Sequence, residues 1–127
     1  MTLITKDNLT SFMDYYHWFH DSYITDVKYE FKKNQIELYI DIYWSGNPTL
    51  KDDGTYETNK TKLKMVCKGI YQYNYKENYI DYIDESYLKI ININNEEYIC
   101  FATDKEEPLI SIVCKIIEYE ELKNTLN

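Results

Sequence analysis

The residues best equipped for chemistry in this 127-residue chain are crowded into one step, His17-Trp18-Phe19-His20-Asp21. His17 and His20 are the only histidines. As H-x-x-H they can share a helix face and, with Asp21, offer ligands to zinc. A zinc site wants a further ligand at a recognisable spacing, and Cys67, Cys100 and Cys114 form no C-x-x-C. The spacing therefore favours a structural role at a helix–strand junction, with Asp21 turning the chain and Ser22 assisting. Nucleophilic catalysis has no support either: there is no G-x-S-x-G, and neither histidine has an evident Ser or Cys partner. Three glycines cannot build a nucleotide-binding loop, and no G-x-x-x-x-G-K occurs. No cofactor is expected.

Carboxylates are the second resource. Asp26 and Asp41 fall in neighbouring strand-like runs, where a pair can do acid–base work or hold a divalent cation. Such a pair needs surroundings that push the two pKa values apart, and nothing nearby in sequence supplies them.

The elements that must position these groups follow from periodicity. Leu9, Phe12, Met13 and Tyr16 mark one face of a short N-terminal helix, with Asp7 or Asn8 placed to cap it. After Asp21 the period becomes two. Tyr23, Thr25, Val27, Tyr29 and Phe31 alternate with Ile24, Asp26, Lys28 and Glu30. Ile36, Leu38, Ile40, Ile42 and Trp44 then alternate with Glu37, Tyr39, Asp41 and Tyr43. Lys32–Gln35 joins the two runs as a hairpin turn. Ser45–Thr58 reads as a loop. Further strands are expected over Thr61–Tyr75, with Leu63, Met65 and Cys67 inward and Lys62, Lys64 and Lys68 outward, and over Ser86–Ile93, Glu97–Thr103 and Leu109–Tyr119. Gly69 suggests a bulge or bend, and Asn94-Asn95 a tight turn, while Asp104–Pro108 links the last two strands. The last strand, apolar on both faces, reads as central and covered by the helix. The expectation is one α+β, mainly β domain over 1–127: an antiparallel meander of about six strands with the helix packed on it.

A two-residue turn at Lys33-Asn34 would set Glu30 opposite Glu37, Lys28 opposite Tyr39 and Asp26 opposite Asp41, with Tyr29 facing Leu38 inside. Like charges directly opposite are destabilising. Such a face is either well solvated or meets a cationic partner, which makes Asp26, Glu30, Glu37, Tyr39, Asp41 and Tyr43 the candidate partner-binding residues.

Composition narrows the field. The formal net charge is −8, tyrosine occurs fifteen times and all fourteen Lys+Arg residues are lysine. An acidic chain without arginine is poorly suited to nucleic acid or to an anionic membrane surface. It remains compatible with a basic protein partner. Lys, Asn, Ile and Tyr, all written with A/T-rich codons, are what an A/T-rich bacterial genome favours. No signal-peptide pattern opens the chain, and no apolar run approaches the ~18 residues of a membrane span, so a cytosolic protein with reduced core cysteines is expected.

Three blocks carry a resemblance: FHDSYITDVKYEFKKNQIELYI, an aromatic-His-Asp step before a hairpin; LKMVCKGIYQYNYKENYIDYID, an apolar strand ending in glycine; and the closing LISIVCKIIEYEEL. Together they are similar to proteins of the immunity protein 50 type, associated with bacterial polymorphic toxin systems. The tryptophan-rich lead-in of that type is only partly present, as His17-Trp18-Phe19. The resemblance implies a cytosolic protein that binds and blocks a cognate, basic protein toxin without chemistry of its own. Two rivals remain. One is a small-molecule-binding or catalytic domain with a pocket near His17, His20 and Asp21, and the other is an oligomeric structural protein.

Overall fold

In the computed structural model, Leu9, Phe12, Met13 and Tyr16 do line one face of a helix, α1 (Leu9–Tyr15), whose Phe12 and Met13 are buried together with Tyr16 just beyond its end. The structure describes residues 1–76, 82–104 and 108–122. Asn8 stands at the N-cap without capping. Its Oδ1 instead accepts from the Thr5 N–H (2.7 Å), and its Nδ2 donates to the Leu3 carbonyl (2.8 Å), tying the helix to the strand before it.

Ten strands are formed among the described residues: β1 (Thr2–Leu3), β2 (Ser22–Glu30), β3 (Gln35–Ile42), β4 (Thr49–Leu50), β5 (Tyr56–Glu57), β6 (Thr61–Tyr75), β7 (Tyr82–Ile83), β8 (Ser86–Ile93), β9 (Glu96–Thr103) and β10 (Ile110–Leu122). The count exceeds the expected six through the short pieces β1, β4, β5 and β7, each two residues long and below what alternation can reveal. Eight strands make one antiparallel sheet in the order β7-β2-β3-β6-β10-β9-β8, with β1 also on β10; β4 and β5 pair separately. β10 is central as its two-sided apolarity required, and Tyr119 on it packs against Phe12 of α1 at 4.4 Å between ring centroids.

The two edge strands β7 and β8 are separated by only Asp84 and Glu85. Two residues cannot span the width of an open sheet, so the sheet must curl until its edges approach. A bend in β6 and β10 assists. Gly69 has φ +69°, and Lys115 Cβ lies 3.0 Å from where a Cβ on Gly69 would sit, so a side chain there would meet both strain and contact. One residue pair further on, Tyr71 is the extra residue of a bulge opposite Val113 and Cys114. Asn94 and Asn95 both take positive φ (52° and 66°) in the β8–β9 hairpin, as a type I′ turn demands. The expected link Asp104–Pro108 and the middle of the second resemblance block lie partly outside the described residues.

The core fills the inside of the curl: Phe12, Met13 and Phe19 from the N-terminal segment meet Ile36, Leu38, Ile40, Leu63, Met65, Cys67, Phe101, Ile112 and Ile117 from the strands. Cys67 and Cys114 are buried free thiols, and the hydrogen bond between them together with burial pushes the Cys67 thiol up; Cys100 is half-buried.

The β2–β3 hairpin departs from the expected register. Phe31–Lys33 form a 3-10 turn that Asn34 ends in the left-handed region (φ 49°), so four residues close the hairpin rather than two. Pairing slides by two positions: Glu30 faces Gln35, Tyr29 faces Ile36, Lys28 faces Glu37 and Asp26 faces Tyr39. A two-residue slide keeps each side chain on its expected face but changes every partner. Phe31, expected inside, sits in the turn and is 83% exposed; Tyr29 lies at the open end of the core face and is 45% exposed. Thr25 is then passed over as a bulge, which turns Ile24 into the core opposite Ile40 and Tyr23 out to face Asp41, the reverse of the expected alternation.

Candidate functional site

The outer hairpin face, expected to be acidic, is a charge-matched surface. β6 runs beside β3, and its register sets Lys62 beside Asp41 and Lys64 beside Tyr39. Lys62 pairs with Asp41 (3.3 Å), Lys28 with Asp26 (3.8 Å) and Lys33 with Glu30 (3.7 Å), while Lys68 pairs across to Glu118 (2.9 Å). Tyr39 donates to Glu37 (3.0 Å), and its ring lies between Lys28 (5.2 Å) and Lys64 (5.8 Å); Lys60 stands over Tyr43 (4.9 Å). The expected acid–acid pairs Glu30–Glu37 and Asp26–Asp41 are absent because the slide in register separates them. Of the six candidate partner-binding residues, each carboxylate thus has a lysine or tyrosine at hand, and each ring has a lysine.

The His-Asp step is different. His17, Trp18 and Phe19 take φ values of 51°, 54° and 59°, and Asp21 takes 61°. Left-handed backbone costs a non-glycine residue roughly 1–2 kcal/mol, and no glycine announces it here. The surroundings hold the run in place. Phe19 is fully buried against Phe101 (5.8 Å), and the Trp18 carbonyl accepts from Ser86 Oγ (3.0 Å). The His17 Nε2–Gly46 carbonyl contact is 2.6 Å, and the Gly46 N–H donates to the Tyr15 carbonyl (2.8 Å). Strain that surroundings enforce is a mark of functional positions.

The run delivers its polar groups to one corner, where the curled sheet brings its edges together. Asp21 Oδ1 accepts from the Tyr82 hydroxyl, and Oδ2 from Trp44 Nε1 (3.2 Å), with His20 Nε2 at 3.3 Å. His20 Nδ1 is 2.7 Å from the Asp84 carbonyl, and Asp104 Oδ1 accepts from the N–H groups of Asp84 (3.1 Å) and Glu85 (3.3 Å). Asp14 accepts from Trp18 Nε1 (3.1 Å). The Tyr82 hydroxyl is the chief reason that the Asp21 carboxyl is held below the usual aspartate range, with Trp44 and His20 adding to it; in return Tyr82 is pushed up to about 12.

Beside this network a cleft of about 290 Å³ is lined by His17, His20, Trp44, Pro48 and Tyr56. The loop expected over Ser45–Thr58 supplies its far wall: β4 and β5 form a small hairpin closed by Lys51–Thr55, and Ser45 Oγ donates to the Asn59 carbonyl to fasten the base. A pocket therefore does lie at His17 and His20, as one of the rival readings requires. Among the described residues no three His, Cys, Asp or Glu side chains converge to hold a metal ion, and neither histidine is hydrogen-bonded to a serine, threonine or cysteine. What the corner offers is shape, ring faces and negative charge.

Sequence reasoning placed His17, His20 and Asp21 together but missed Trp44, Pro48, Tyr56, Tyr82 and Asp84. These lie 23 to 64 residues away along the chain, as the spans of the Trp44–Asp21 and His20–Asp84 bonds record. The rarity of tryptophan, at two per chain, is the one signal in the sequence that could have singled out Trp44. Among the described residues no helix is long and apolar enough to cross a membrane. Neither a family model nor a curated protein matches this sequence.

Proposed function

We propose that this chain is a cytosolic binding protein of the immunity type, which neutralises a basic protein toxin by covering it, and that the covering surface is the His-Asp corner rather than the outer hairpin face. One observation carries the reading. Asp14, Asp21, Asp84, Glu85 and Asp104 gather there among Trp18, Tyr82, Trp44 and Tyr87, and among the described residues no ion pair brings a lysine to any of them; His20 lies against Asp21 and Asp84. On the hairpin face Asp26, Glu30 and Asp41 each have a lysine, and only Glu37 relies on a tyrosine hydroxyl. Carboxylates without a lysine partner therefore stand beside Trp and Tyr rings at this corner, and Trp and Tyr are the residues that anchor interface hot spots. Complementary fields would steer a basic partner to it and make the complex sensitive to salt.

The similarity of the aromatic-His-Asp block to the immunity protein 50 type points the same way, since that block builds the corner. The test is co-expression with the toxin-like protein encoded beside this chain. Wild type protects; Asp84→Asn/Glu85→Gln lowers protection and weakens the complex at least tenfold, whereas Glu37→Gln/Asp41→Asn does neither. Absence of protection by the wild type, or equal protection by the corner variant, would refute the proposal.

A further inference from the structure

The cleft allows the partner chemistry to be named more closely. We propose that the cleft lined by His17, His20, Trp44, Pro48 and Tyr56 receives the guanidinium of an arginine side chain of the basic partner. The inference rests on the reading above, of which it deepens one contact.

Three features of the molecule converge on a planar organic cation. First, the walls present rings and a proline, and aromatic faces carry the negative lobe of the ring quadrupole, so they attract cations and stack on flat ones. Second, the Asp21 carboxylate stands immediately behind two of the walls, bonded to Trp44 Nε1 and close to His20 Nε2. A hydrogen bond from the indole N–H to a carboxylate shifts electron density into the ring and strengthens its hold on a cation. The Asp21 carboxyl is kept ionised by the Tyr82 hydroxyl, so this charge persists across the physiological range. Third, where the chain's own lysines reach an aromatic face they do so elsewhere: Lys28 and Lys64 flank Tyr39, Lys60 covers Tyr43 and Lys115 covers Tyr98 at 4.0 Å. Among the described residues no lysine stands over Trp44 or Tyr56.

Arginine is favoured over lysine because a guanidinium is flat, weakly hydrated and stacks, whereas an ammonium is a compact and strongly hydrated point charge. A second copy of this chain cannot be the donor, because the chain contains no arginine. The wall is built in advance by the left-handed run, so little ordering is required on binding, and preorganisation is where affinity is gained.

The two indole N–H groups give a direct test. Trp44 Nε1–H reports the cleft, and Trp18 Nε1–H, held by Asp14, serves as the reference. Titration with N-acetyl-arginine N′-methylamide is expected to move the Trp44 signal saturably, with a dissociation constant on the order of 1–10 mM. The lysine analogue should bind several-fold more weakly and the norleucine analogue not at all. Tyr56→Ala, an exposed loop substitution that leaves the core untouched, should weaken arginine binding at least threefold, and Asp21→Asn should do the same. An equal response to norleucine, no response up to about 50 mM, or wild-type binding by Tyr56→Ala would overturn the proposal. The outcomes separate the two claims. A toxin complex unaffected by Tyr56→Ala overturns the arginine pocket and leaves the corner reading standing. Saturable arginine binding without any protected partner supports the pocket and overturns the corner reading.

Discussion

The left-handed run at the His-Asp step can be weighed by comparing two truncations at one position. Trp18 sits at φ 54° and ψ 30° and is half-buried against the core. Trp18→Ala and Trp18→Gly lose the same indole and the same bond to Asp14, so their difference isolates the backbone. At an ordinary position glycine is the worse residue by roughly 0.5–1 kcal/mol, because the unfolded chain gains freedom. At a left-handed position alanine carries a Cβ clash of roughly 1–2 kcal/mol that glycine lacks. The terms oppose each other, and the clash is the larger. Trp18→Gly should therefore be more stable than Trp18→Ala by about 0.5–1 kcal/mol.

Urea unfolding measures this directly. With a slope of about 1.5 kcal/mol/M, the glycine variant should unfold at a midpoint roughly 0.5 M higher than the alanine variant. Thr10, exposed in α1, supplies the control: there alanine should exceed glycine by about 0.5–1 kcal/mol. A reversal of sign between the two positions is the expected result. If alanine is as stable as glycine at position 18, the run is not left-handed in solution, and the argument that the corner is held under strain fails.

Other outcomes follow from the same geometry. Asp21 is held below its ordinary range, so its contribution to stability is complete above about pH 4 and is lost as pH falls through the depressed folded value. Asp21→Asn should remove that acid limb from the stability–pH curve and let Tyr82 titrate below its present value of about 12, which carbon-13 tyrosine NMR reads; an unchanged acid limb would count against the Asp21–Tyr82 bond. The hairpin register predicts that Lys28→Cys/Glu37→Cys closes a disulfide under mild oxidation, while Glu30→Cys/Glu37→Cys does so far less readily; the opposite order restores the two-residue turn. Phe31→Lys should change stability by no more than about 0.5 kcal/mol, whereas Phe19→Ala should cost about 3–5 kcal/mol, both read by thermal or urea unfolding. Gly69→Ala should cost about 1–3 kcal/mol, through φ strain and the Lys115 contact, and no loss would remove the need for the bend.

Where the sequence was legible, one local rule sufficed. Helical spacing from Leu9 to Tyr16 and alternation from Ile36 to Ile42 name their buried faces because burial itself selects the period. The central place of β10 followed from apolarity on both sides. The hairpin register was less accessible, since Phe31-Lys32-Lys33 can close a 3-10 turn or extend a strand with no residue forced to either. Asparagine readily takes positive φ, as Asn34 does, yet nothing beside it encodes the loop length that places it. The bulge at Thr25 is likewise decided by what Ile24 gains in the core. For the corner, the left-handed residues include Trp18 and Phe19, which carry no positive-φ signal, and Trp44, Tyr82 and Asp84 arrive only when the sheet curls.

That curl also decides where the charge of the chain ends up. β6 carries Lys62, Lys64 and Lys68 on its outer face, and the sheet order places it between β3, with Glu37 and Asp41, and β10, with Glu118 and Glu120. The lysine strand between them pairs with one acid on each side, Lys62 with Asp41 and Lys68 with Glu118, so an acidic run read along the sequence becomes a largely matched surface in three dimensions. Exposed pairs of this kind contribute only about 0–1 kcal/mol each; their effect is to remove a field rather than to hold the fold. The acids at the sheet's seam have no such neighbour, because the elements that meet there are chain turns and two-residue strands rather than a lysine-bearing strand. Antiparallel order thus cancels charge along the sheet and leaves it uncancelled at the seam, and the seam is where the left-handed run, both histidines and both tryptophans also meet.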